Sequence, residues 1–231
     1  MEKKIIVYSV LTNGYDKLNI PKVYDPSIEY ILFTDDMSLK SDVWKITPID
    51  FVPRNFESRK ANRYIKINSH LVLPEHDISI WIDHCFEPRF NDANKMINDM
   101  KMGVSNIISY KHPKRNCIYD ESNEVLRGSL DSPSVVNAQM RRYYLMGFPP
   151  NYGLYEAGFL IRQNNLKVKL FNETWWKEVF NNSGRDQLSE MFASWSTGID
   201  IHPITIGENV WSNDFLHAKT EHLKRFSTTP S

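Results

Sequence analysis

Equal numbers of basic and acidic residues, 28 of each in 231, leave the chain without net formal charge, which excludes the whole-molecule field that duplex-binding domains use to collect nucleic acid. Apolar residues make up 41% and aromatic residues 13%, enough to close a sizeable core; carbohydrate binding is one outlet for the many Trp and Tyr rings, and core filling the commoner one. Two cysteines without a CxxC spacing, Cys85 and Cys117, argue against a disulfide framework or structural zinc. With no signal-length apolar start and no run of about 18 apolar residues, they point to a reducing, cytoplasmic setting.

The run Ile5 to Leu11 is apolar and rich in β-branched residues, so it reads as a first strand. Thr12-Asn13-Gly14-Tyr15-Asp16 breaks it, and Asn-Gly there supplies a tight turn. Tyr30 to Phe33 makes a second strand ending at Thr34-Asp35-Asp36, and Trp44 to Ile46 a short third. Three strands that each end in a polar loop suggest a nucleotide-binding α/β architecture over a sandwich.

From Ser58 to Leu73, Ala61, Tyr64, Ile65, Leu71 and Val72 recur at helical spacing, and Pro74 closes the element. Arg59, Arg63 and Lys66 fall on one face of this helix. That face is either solvated or a cationic surface for a diphosphate or a nucleobase edge. The next run, Ile78 to Ile82, reads as a strand buried on both faces, and it stops on Asp83, followed by His84 and Cys85. An acid at the carboxyl end of a strand stands where α/β sheets collect ligands, so Asp83 is a candidate for holding a metal, a ribose or a sugar. The plainer reading is a carboxylate that caps the following turn.

Asn91 to Met102 repeats the helical pattern before Gly103, and Ile107 to Tyr110 returns as a strand. Lys111-His112-Pro113-Lys114-Arg115, with Tyr119 and Glu121, reads as a basic polar loop. Ser132-Pro133 opens a helix that runs to Met146 before Gly147. Leu160 to Arg162 reads as a strand, Val168 to Phe180 as a helix carrying Trp175-Trp176, and Arg185 to Trp195 as a helix ending before Gly198. Asp186 in that last helix is accounted for by the macrodipole alone, or it belongs with Arg185 and Gln187 to a cluster suited to sugar hydroxyls or a phosphate. Ile201 to Ile206 is the expected last strand. The chain is expected to form one domain over 1–226, with 227–231 fraying.

The motifs Asn13-Gly14-Tyr15-Asp16, Phe33-Thr34-Asp35-Asp36, Arg63-Tyr64-Ile65-Lys66 and Ile80-Trp81-Ile82-Asp83 occur in that order. His112-Pro113, Cys117-Ile118-Tyr119, Gly153-Leu154-Tyr155-Glu156, Trp175-Trp176 and Arg185-Asp186-Gln187-Leu188-Ser189 follow. Over Tyr8 to Trp195 the chain resembles the glycosyltransferase-like domain of bacterial polysaccharide loci and plant cell-wall proteins, and is similar to chlorovirus capsid-glycan transferase domains. The resemblance implies a GT-A fold: one nucleotide-sugar-binding α/β domain with a mixed central sheet. It also implies a strand-terminal Asp-x-Asp that binds the donor ribose and a divalent metal. Here Cys85 stands at the second acid if Asp83 is the first, and Trp81 at the first if Asp83 is the second.

What the resemblance implies for the site is a donor pocket of Thr12, Asn13, Gly14 and Asp35 for the nucleoside, with Arg59, Arg63, Lys66, Arg185 and Gln187 for the diphosphate and sugar. Asp83 is assigned to ribose or to Mn²⁺ or Mg²⁺, with His217, His84 or Asp35 completing a metal site. Asp186 and Glu156 are the candidates for acceptor activation. The implied reaction moves a sugar, hexosyl or deoxyhexosyl, from a nucleoside diphosphate donor, UDP foremost, to a hydroxyl of a surface glycan or polysaccharide. Two rivals stand beside it: a non-catalytic glycan-binding protein on the same fold, and a nucleotidyltransferase. No integral membrane segment is expected, and any membrane association is peripheral, through the acceptor or a partner.

Overall fold

In a computed structural model of the chain, residues 3–99, 105–213 and 215–218 are described, with Asp99, His217 and Ala218 described by backbone alone. The expected tail at 227–231 and the expected helix end at 100–102 lie outside the described residues.

The strands are β1 (Ile5–Leu11), β2 (Glu29–Thr34), β3 (Lys45–Pro48), β4 (Ile78–Ile82), β5 (Phe86–Pro88), β6 (Ile107–Lys111), β7 (Tyr155–Gln163), β8 (Ile201–Pro203) and β9 (Leu216–Ala218). Seven of them form one mixed sheet in the order β3-β2-β1-β4-β7-β6-β8, while β5 and β9 pair separately. The β3-β2-β1-β4 portion is parallel throughout. β7 runs antiparallel to both β4 and β6, and β8 returns parallel to β6. Because the chain lays β2 and β3 on one side of β1 and β4 on the other, the strand order reverses at β1. A crevice therefore opens beyond the carboxyl ends of β1 and β4. β7 begins beside that opening, since Ile82 pairs with Phe159 and the Asp83 amide donates to the Gly158 carbonyl at 2.9 Å.

Alternation along the strands divides the core into two layers. Ile6, Tyr8, Val10 and Trp81 face a helical layer that includes Ile65, Trp175 and Leu188. Ile5, Val7, Ile80 and Ile82 face the other side, against Met96 and Ile97. Burying one such aliphatic side chain contributes about 1.5–3 kcal/mol, so β1 and β4, apolar on both faces, anchor the site rigidly. The helices are α1 (Ser58–Ile67), α2 (Ser69–Val72), α3 (Ala93–Asp99), α4 (Ile118–Arg127), α5 (Pro133–Leu145), α6 (Leu166–Asn181) and α7 (Gln187–Thr197).

Beside the pair β5 and β9, which the sequence reading does not contain, three elements differ from it. The single helix expected over 58–73 is two, broken at Asn68, whose side-chain amide donates to the Tyr64 carbonyl at 3.0 Å. Asn competes for backbone carbonyls in this way and is a poor helix-interior residue. The carbonyls freed at the end of α1 are taken up by buried side chains. Arg162 donates to Ile67 O at 3.0 Å and to Lys66 O at 2.6 Å, and Tyr8 Oη donates to Lys66 O at 2.6 Å. The fully buried cation thus sits at the negative end of α1.

The polar loop expected after Lys111 gives way to α4, with Asp120 and Glu121 in its first turn, Arg127 in its last and Gly128 beyond. That charge order favours a helix, and it is readable in the sequence. The last strand of the large sheet stops at Pro203 rather than Ile206; the Ile204 amide makes the last bond to β6, donating to Ser109 O at 2.8 Å, and Pro203 is tolerated because β8 is an edge strand.

Candidate functional site

The crevice holds a cavity of about 400 Å³. Its floor is Val10 at the end of β1 and Asp83 at the end of β4; one wall is α1, and the other combines Glu156 to Gly158 of β7 with the Arg185–Gln187 turn. α1 exposes this wall because its own core contacts, Ala61 and Ile65, lie on the opposite face. Arg59, Arg63 and Lys66 then point to the cavity together.

The deepest element is an ion cluster. Asp186 Oδ2 accepts from Lys66 Nζ at 2.6 Å, and Asp186 Oδ1 lies 3.0 Å from Arg63 Nε, an ion pair without hydrogen-bond alignment. Burial alone would raise the Asp186 pKa, but Arg63, Lys66 and then Arg185 outweigh it and hold the carboxyl well below the usual range. Although Asp186 occupies the N-cap position of α7, its side chain makes no cap bond and turns to these cations. Lys66 also reaches toward Asp83 Oδ1 at 3.7 Å, and the Trp81 indole donates to the same oxygen at 2.8 Å. Asp83 Oδ2 faces Gly158, where a Cβ would come within 3.4 Å of it and 3.0 Å of Phe86. The glycine therefore keeps that oxygen open to the cavity.

Arg185 lines the cavity without a carboxylate in ion-pair range among the described residues. Burial lowers its pKa; Asp186 opposes the shift, and the like charges of Arg63 and Arg59 add to it. Cations assembled at that electrostatic cost favour a polyanionic ligand. Gln187 donates from Nε2 to Tyr155 O at 2.7 Å, tying α7 to the start of β7. Beside it, Glu156 Oε2 accepts from the Val210 amide at 3.1 Å. Burial raises the Glu156 pKa, and the Val210 amide and Trp211 side chain offset only part of the shift.

The nucleoside residues expected from the sequence are not on the cavity wall. Asn13 and Gly14 both have positive φ, 57° and 55°, and Tyr15 N donates to Thr12 O at 3.1 Å, a type I′ turn. Both oxygens of Asp35 accept from the Asn13 amide, at 3.1 and 2.9 Å, so Asp35 fastens this turn. The turn delivers Tyr15 and Asp16 to the cavity instead.

Sequence reasoning passed over Asp16 although the residue stood in a quoted motif. Asp16, Asp83 and Cys85 all line the cavity, and the Cys85 thiol is pushed up first by burial and then by the Asp83 and Asp16 carboxylates. His112, read as part of a basic loop, also reaches the cavity. Its Nδ1 accepts from the Lys114 and Arg115 amides, at 3.2 and 3.0 Å, and burial with the adjacent cations lowers its pKa to about 4.

Of the expected metal partners of Asp83, His84 lines the cavity and Asp35 does not. His84 Nε2 accepts from the Asn19 amide at 3.1 Å and Nδ1 lies 3.4 Å from Ser9 Oγ, so both ring nitrogens are engaged. Asp35 is spent on the Asn13 turn. His217 pairs with Glu87 through the β5–β9 backbone, and its side chain lies outside the described residues. Among the described residues, no group of three or more His, Cys, Asp or Glu is placed to hold a metal ion.

Beneath the cluster lies Glu190, fully buried on α7, with neither carboxyl oxygen hydrogen-bonded. Burial raises its pKa to about 8; Lys66 and Arg162 oppose the shift and Asp186 adds to it. The native state keeps a proton that the unfolded chain releases, so stability falls as pH rises from the ordinary glutamate range toward about 8. The slope over that window is about 1.4 kcal/mol per pH unit. Glu190→Met should abolish it, read by urea unfolding across the window; an unchanged slope would assign it elsewhere.

A mixed sheet with a cation-walled crevice at its switch point gives the architecture of a glycosyltransferase-like domain. The family model for the TOD1/MUCI70 glycosyltransferase-like domain matches residues 1–206, and the chain belongs to that family. No curated protein matches the chain in sequence. Among the described residues, no helix is long and apolar enough to cross a membrane.

Proposed function

We propose that the chain transfers a sugar, hexosyl or deoxyhexosyl, from a nucleoside diphosphate donor, UDP foremost, to a hydroxyl of a surface glycan or polysaccharide. The observation that carries this reading is the cation wall of Arg59, Arg63, Lys66 and Arg185 at the sheet's switch point. Arg59 and Arg185 take the diphosphate. Lys66 and Arg63 stay bound to Asp186 and hold the wall in place.

Asp83 orients the ribose or a divalent ion. Its open Oδ2, with Asp16 lining the same cavity, fits an Mn²⁺ or Mg²⁺ that arrives on the diphosphate, since such ions draw most of their oxygens from phosphate and water. When bound, the metal would supply charge neutralisation of the departing diphosphate. Asp186 is too firmly held as an anion to serve as base. Glu156 takes that role: its carboxylate accepts the acceptor hydroxyl proton as the new C–O bond forms and the bond to diphosphate breaks, with inversion. The free thiols of Cys85 and Cys117 suit a cytoplasmic setting.

Thermal unfolding with UDP, GDP and CDP, each with and without Mn²⁺, tests the donor site. A cognate nucleotide at a hundredfold excess over Kd should stabilise the chain by about 2.7 kcal/mol. Arg185→Ala should cut the shift sharply. If no nucleotide moves the transition, the transferase reading fails, and saturable oligosaccharide binding in its place would favour a glycan-binding protein.

A further inference from the structure

Trp211 lies beyond the residues shared with the family model, which end at 206, yet it lines the cavity. It is held by a built loop. Gly207 has φ +81°, and a Cβ there would meet Asn213 at 2.6 Å. Glu208 N donates to Ser212 O at 2.9 Å and Trp211 N to Asn209 Oδ1 at 2.9 Å, while Asn213 Nδ2 donates to the carbonyls of Asn209 and Val210, each at 3.0 Å.

The loop is pinned at both ends of its reach. Val210 is buried in the apolar layer, and its amide binds Glu156. The Trp211 ring packs against Phe86 with centroids 4.8 Å apart and planes tilted by 60°. Even so, 54% of Trp211 is exposed. A large ring fixed on one side and open on the other, at the mouth of a polar cavity, is a surface for the apolar face of a pyranose.

From this geometry we infer that Trp211 is the platform on which the acceptor's sugar ring stacks, presenting a hydroxyl to Glu156. The inference rests on the transferase reading and names the acceptor class, a pyranoside. The loop lies outside the family-matched span, while the donor wall and Asp83 lie within it.

The test compares wild type, Trp211→Ala and Trp211→Phe as full chains. Kd for UDP with Mn²⁺ is measured by calorimetry, and transfer is measured to the methyl α- and β-pyranosides of glucose, galactose, mannose and rhamnose. Trp211→Ala should raise the acceptor KM about tenfold with the UDP Kd unchanged, and Trp211→Phe should restore most of the loss. A weakened UDP Kd with an unchanged acceptor KM would make the ring a donor contact and overturn the assignment. Unchanged values for both would overturn it as well.

If no pyranoside is turned over, saturation-transfer NMR reads binding of the same panel. Ring-proton signal lost in Trp211→Ala supports the assignment; equal signal in both proteins, or none in wild type, overturns it. Failure of the transferase reading is separate, since it shows as absence of nucleotide binding in wild type.

Discussion

Glu156→Gln should sharply slow the proposed sugar transfer while leaving donor binding intact. The amide keeps an oxygen to accept the Val210 N–H, so the loop that carries Trp211 stays in place. What it loses is the capacity to take a proton. General-base contributions are about 10²–10⁴-fold in rate, and a loss in that range is expected in kcat with little change in the UDP Kd.

The pH profile supplies the second readout. Burial raises the Glu156 pKa above the ordinary glutamate value, and transfer needs the ionised form. Transfer in the wild type should therefore fall as pH drops through that raised pKa, earlier than an exposed glutamate would dictate. In Glu156→Gln this acidic limb should vanish from the residual rate. A variant that keeps full transfer, or keeps the limb, would remove Glu156 as base.

Much of this site was legible locally. Apolar runs marked β1 and β4, and their polar ends fell where ligands gather in an open sheet. Spacing alone put Arg59, Arg63 and Lys66 on one face, and α1 presents that face to the cavity. Contacts over long sequence separations left no such mark. Glu156 meets Val210 across 54 residues, and Arg162 reaches Lys66 O across 96.

Asp35, expected from the resemblance in the nucleoside pocket, holds through its carboxylate the amide of a turn with two positive φ values, a contact that the sequence does not mark. Glu190 was unreadable too. A glutamate in a helix is normally solvated, and only packing of α7 beneath the ion cluster makes it buried. The exchange of Asp35 for Asp16 on the cavity wall follows from the same turn, which points Tyr15 and Asp16 inward.

Asp186→Asn should destabilise the chain by about 3–5 kcal/mol near neutral pH, the usual result of stripping one partner from a buried ion cluster. Lys66 and Arg63 would be left without the charge that holds them, and an amide cannot replace it. In the wild type the depressed Asp186 pKa means that its contribution is present above the ordinary aspartate range and is lost as pH falls below it. The variant should lose that acid sensitivity.

A second consequence runs through Glu190, whose pKa is raised in part by Asp186 and lowered by Lys66. With Asp186 gone, Glu190 should ionise at lower pH and take over part of the Lys66 charge, so the deficit shrinks as pH rises. In Asp186→Asn/Glu190→Met that recovery should be absent, which makes the pair non-additive in a double-mutant cycle. A loss below about 1 kcal/mol, typical of exposed pairs, would mean that solvent screens the cluster. Donor affinity should fall with stability, because a Lys66 released from Asp186 would turn to Asp83, already 3.7 Å away, and neutralise the acid proposed to orient the donor.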